Sequence, residues 1–71
     1  MDDDAVIKAT GTALSTIAAV LERAGIASGQ EIANLIGMCG KIASEDGDNN
    51  EGTILATWSG MIADSISQTP N

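Results

Sequence analysis

Ser28-Gly29-Gln30-Glu31 and Asp48-Asn49-Asn50-Glu51 carry one signal twice, and each opens a segment with apolar residues at helical spacing. In each, the first side chain offers an oxygen to a free backbone N–H at the start of a helix. The Glu three positions on reaches back to the capping residue's own N–H. The two signals cut the chain into three helices, expected over residues 3–24, 29–44 and 49–67, with an acidic loop at 45–51 and a short tail at 68–71 that contains Pro70. The pattern predicts an all-α fold in one domain over residues 1–71: a small three-helix bundle, or a helical hairpin plus a third helix.

The first segment repeats apolar residues at Val6, Ile7, Thr10, Ala13, Leu14, Ile17, Val20, Leu21 and Ala24, a stripe wider than one neighbour can cover. Asp2, Asp3 and Asp4 complement the positive end of this helix, and Gly25 supplies the left-handed residue that ends it. Gly11, costly inside a helix, predicts close approach of a neighbouring backbone. The second segment is expected to bury Ile32, Leu35, Ile36, Cys39, Ile42 and Ala43, with Met38 at the margin and Cys39 central and chemically quiet. Beside that stripe run Ala33, Gly37 and Gly40, small enough for two helix backbones to approach closely. The third segment is expected to bury Ile54, Leu55, Trp58, Met61, Ile62 and Ile66, with the indole N–H of Trp58 on a carbonyl. Its other face, which includes Ala56, Gly60 and Ala63, is nearly uncharged and is expected to meet a second chain.

A chain of 71 residues exposes much of its surface when folded, and its single cysteine forbids an internal disulfide. Self-association is the expected compensation, most simply as a homodimer. The net charge of −7 and the three cations Lys8, Arg23 and Lys41 argue against nucleic acid and anionic membranes as partners. The uncharged run 9–21 is short for a bilayer span and the acidic start lacks the charge of a secretory signal, so a cytoplasmic protein is expected.

Catalytic side chains are scarce. The chain has no His, Tyr or Phe, so Cys39 has no imidazole to activate it and no enzyme activity is expected. Asp46, Asp48 and Asn50 alternate like the first three ligands of a calcium loop, but Glu51 stands where the turn needs Gly and Thr57 where the closing Glu belongs, so no metal is expected. Asp64-Ser65-Ile66 resembles the prosthetic-group site of acyl carrier proteins, in which the Ser opens a helix near mid-chain. Ser65 instead comes near the end of the last helix, and no cofactor is expected.

Two functions fit these residues. One is a non-enzymatic helical interaction module that self-associates or joins a larger assembly through Ala56, Gly60 and Ala63 or through Ala33, Gly37 and Gly40. The other is an acidic inhibitor or regulator, a nucleic-acid mimic or phage-type antagonist, that presents Asp2, Asp3, Asp4, Glu45, Asp46, Asp48 and Glu51 to a basic site on another protein.

Overall fold

The computed structural model describes residues 3–67 and has three helices, α1 (Asp3–Arg23), α2 (Gly29–Glu45) and α3 (Asn49–Ser67), with no strand among them. Asp2 and the tail at 68–71 lie outside the described residues. The Ser28 and Asp48 caps are as the sequence predicts, but the expected return bond from Glu51 is replaced, because the N–H of Asp48 donates to Ala43 O. The backbone N–H of Glu31 donates to Ser28 Oγ at 3.0 Å, and that of Glu51 donates to Asp48 Oδ1 at 3.0 Å. α1 stops at Gly25, whose φ of 75° lies in the left-handed region, and the N–H groups of Gly25 and Ile26 turn back to the carbonyls of Glu22 and Leu21. α2 ends the same way at Gly47, with φ 99°, and the N–H of Asp48 returns to Ala43 O. Asp48 therefore closes one helix and caps the next, which holds α2 and α3 in a tight antiparallel hairpin.

That hairpin is the most extensive contact in the molecule, and α1 packs mainly on α3 and little on α2. Small residues bring α2 and α3 together. A Cβ added at Gly40 would lie 3.0 Å from the carbonyl of Gly52, and one at Gly37 would lie 3.1 Å from Ser59 Oγ. Ser59 also donates to Ala33 O at 2.7 Å, tying the two helices together at the same level. α1 runs parallel to α3: Trp58 Nε1 donates to Ile7 O at 2.9 Å, and Met61 and Trp58 fill the space over Gly11. The close neighbour at Gly11 is thus a pair of side chains rather than the backbone expected from the sequence.

The core is small, and its composition overturns the burial expected for α1 and α2. Its buried hydrophobic residues are Ala18, Ala33, Ala43 and Ile62, with Leu14, Ile32, Ile36, Ala63 and Ile66 packed around them. α3 buries the face its periodicity predicts. On α1 and α2 the inward face is turned by roughly a quarter turn from the large apolar stripe, reckoned at ~100° per residue. α1 puts Gly11 and Ala18 inward and α2 puts Gly29, Ala33, Gly40 and Ala43 inward, while Ile17, Val20, Leu35, Met38 and Ile42 are more than half exposed. Cys39 is exposed as well, contrary to its expected burial. The physical reason is the width of the apolar surface: α2 carries a small face and a large face side by side, and the small one lets its backbone approach α3 most closely.

A candidate interaction surface on α1 and α2

Four side chains of α1, Val6, Ala13, Ile17 and Val20, fall within an arc of ~60° on the helix, and all are exposed. On α2, Leu35, Met38, Cys39 and Ile42 fall within an arc of ~100° and are exposed too. Each arc points away from α3, about 140° around its helix from the buried residues. Leu14 of α1 and Ile32 and Ile36 of α2 pack onto the same core cluster, between these stripes and α3, so the two stripes border one seam. Ile26, in the connection between the helices, is 71% exposed and extends the apolar surface at the end where α1 turns into α2.

Little polarity interrupts this face. α1 carries no charge over residues 9–21, and the hydroxyls of Thr12, Ser15 and Thr16 donate to the carbonyls of Lys8, Gly11 and Thr12 one turn back. Glu31 stands at one end of the α2 stripe. By length and composition α1 also meets the requirement for a membrane-crossing helix, and only 11% of its apolar window is buried. The same properties belong to a helix that gives an apolar side to a protein partner.

Charge is distributed unevenly along the bundle. α2 lies antiparallel to the other two helices, so the start of α1, the end of α2 and the start of α3 meet at one end, which gathers Asp3, Asp4, Glu45, Asp46, Asp48 and Glu51. A cavity of about 450 Å³ opens there, lined by Ile54, Leu55 and Trp58 with Asp48, Asn50 and Glu51. Arg23 and Ile26 stand at the other end with Glu31, while Lys8 and Lys41 lie within about two turns of the acidic end. Glu22, beside Arg23, is engaged by the backbone N–H of Gly29 at 2.8 Å from its Oε1.

The small residues singled out in the sequence divide into two groups. Ala33 and Gly40 are buried and Gly37 is half-buried, all against α3 of the same chain, so this stripe joins two helices within the monomer and is unavailable to a second chain. That corrects its assignment as an outward interface. Ala56 and Gly60 are exposed, with open space around Gly60, and Ala63 is half-buried against the core. The acidic loop encloses a polar cavity lined by Asp46, Gly47, Asp48, Asn49 and Asn50, but no group of three or more Asp, Glu, Cys or His converges among the described residues. Ser65 Oγ donates to Ile62 O. The sequence reading missed Ser59 and Glu22, whose hydrogen bonds span 26 and 7 residues and leave no local signal. It also missed Gly52, which lies at the closest approach of α2 and α3. Comparison of the chain with protein-family models, with curated proteins and with solved structures finds no match.

Proposed function

We propose that the chain is a non-enzymatic helical interaction module that self-associates through the α1–α2 face, in a cytoplasmic setting. One observation carries this reading: three of the four buried apolar residues among the described ones are alanines, while seven larger ones, Val6, Ile17, Val20, Ile26, Leu35, Met38 and Ile42, stand 44–71% exposed. Covering each half-exposed side chain is worth on the order of 1 kcal/mol, and large apolar side chains gathered on exposed helix faces mark an interaction surface. A domain of this length has little internal stability to spare, so assembly supplies what the core lacks. The acidic end supports a second reading, an inhibitor that offers its carboxylates to a basic site on another protein. Salt separates the two, because an apolar helix interface tolerates it and a charge-driven complex weakens steeply.

Sedimentation equilibrium of the wild type and of Leu35→Glu provides the test. The wild type should associate at micromolar concentration. Leu35→Glu should be monomeric with unchanged helix content, because Leu35 is exposed in the monomer and a carboxylate buried at an interface is costly. A wild type that stays monomeric at high micromolar concentration, or a Leu35→Glu variant that assembles like the wild type, contradicts the proposal.

A further inference from the structure

Building on the self-association reading, we infer that α1 is a detachable strap: a latch formed by Trp58 and Met61 of α3 over Gly11 holds it down, and the α1–α2 face is complete only while that latch is closed. The two stripes of the face belong to helices that pack little on each other. Each is held in place through α3 instead. Releasing α1 from α3 therefore splits the face without altering any residue on it.

The helices are not held alike. α2 and α3 share Asp48, which closes one and caps the other, and they meet most closely where Gly40 faces Gly52, with Ser59 donating to Ala33 O at 2.7 Å. The hold on α1 is lighter. Of its 21 residues only Gly11 and Ala18 are buried, so docking encloses one methyl group and the flanks of half-buried side chains. Residues 24–28 join α1 to α2, and Gly25, at φ 75° with open space where a Cβ would stand, gives that connection a pivot. The latch lies about four turns along α1 from the pivot. Because Gly11 has no Cβ, the indole of Trp58 sits close beside it and Nε1 donates at 2.9 Å to the carbonyl of Ile7, one turn earlier, while Met61 covers the same gap. Elements with few buried apolar contacts open first, and a second copy that binds only the docked form draws α1 back onto α3.

Hydrogen exchange read by peptide mass spectrometry, alongside the association constant, provides the test. In dilute wild type the amides of α1 should exchange at least tenfold faster than those of α2 and α3, and their protection should rise with protein concentration. Gly11→Leu favours helix but forces Met61 and Trp58 off α1. It should speed α1 exchange at least tenfold further, leave α2 and α3 within about twofold of wild type and weaken association at least tenfold. Trp58→Phe, which keeps a ring over Gly11 and lacks the donor to Ile7 O, should act in the same direction to a smaller extent, and it carries the test if Gly11→Leu does not fold. Equal exchange in all three helices of the wild type, or loss of protection shared equally by all three in the variants, would show one cooperative unit and overturn the strap even if the protein associates. A variant that frees α1 and still associates within twofold of wild type would show that the face does not need α1 in place, and would overturn the inference as well. A wild type that never associates removes the face along with the self-association reading, while α1 exchange in the monomer still upholds or overturns the strap.

Discussion

Gly52→Ala is expected to remove up to about half of the protein's stability, measured as the urea midpoint of the helical circular dichroism signal. The added Cβ would overlap Ser44 Oγ and lie 2.8 Å from the carbonyl oxygen of Gly40, on the opposite helix. The serine can rotate away, but the backbone oxygen cannot. Relief requires α2 and α3 to separate along their main contact, and overpacking of this kind costs ~1–3 kcal/mol or more. A domain of this size holds only ~3–5 kcal/mol. The gain of up to ~1 kcal/mol for replacing a helical glycine offsets part of that loss. Gly60→Ala isolates this gain, because open space surrounds Gly60, and it should raise the midpoint. Equal midpoints for the two variants would show that the helices do not meet as closely as described.

Ile62→Ala should be at least as damaging. Ile62 is fully buried, the largest side chain so enclosed among the described residues, and it touches the cluster in which all three helices meet. Leu, Ile or Met to Ala at such positions costs ~2–5 kcal/mol, enough to leave much of this domain unfolded at 25 °C. Leu35→Ala is the informative contrast. Its side chain is 55% exposed, so in dilute solution the change should cost well under ~1 kcal/mol. At concentrations where the protein associates, Leu35→Ala should lower the thermal midpoint clearly, since the stability then includes assembly. If Leu35→Ala were as destabilising as Ile62→Ala in dilute solution, the large apolar stripe of α2 would belong to the monomer core.

Much of the fold was legible in the chain because helix ends are local. Ser28 and Asp48 bond to N–H groups three residues away, and Gly25 marks a left-handed turn by its own identity, so the helix number and near-correct bounds follow from short stretches. The face of α3 was legible too, since its apolar stripe has a single inward solution. α1 and α2 were not, and the reason is physical. Periodicity records which side chains avoid water without recording what shields them. On α2, Ala33, Gly37 and Gly40 and the stripe of Leu35, Cys39 and Ile42 both run at helical spacing, and both read as contact surfaces. The sequence reading assigned the large stripe to the core and the small one to a partner. Packing reverses the assignment, because glycine and alanine allow the nearest approach to Gly52 and Ser59.

The thiol of Cys39 tests the inverted burial most directly, because it lies in the middle of the exposed α2 stripe and is the only cysteine. Its labelling by Ellman's reagent is to be followed in the folded wild type over a dilution series from high micromolar to nanomolar protein. Labelling should be fast in dilute solution, where the monomer leaves Cys39 open, and should slow as concentration rises and a second copy covers the face. Slow labelling at every concentration, relieved only by denaturant, would mean that the monomer itself buries the stripe, and uniformly fast labelling would mean that no second copy covers it.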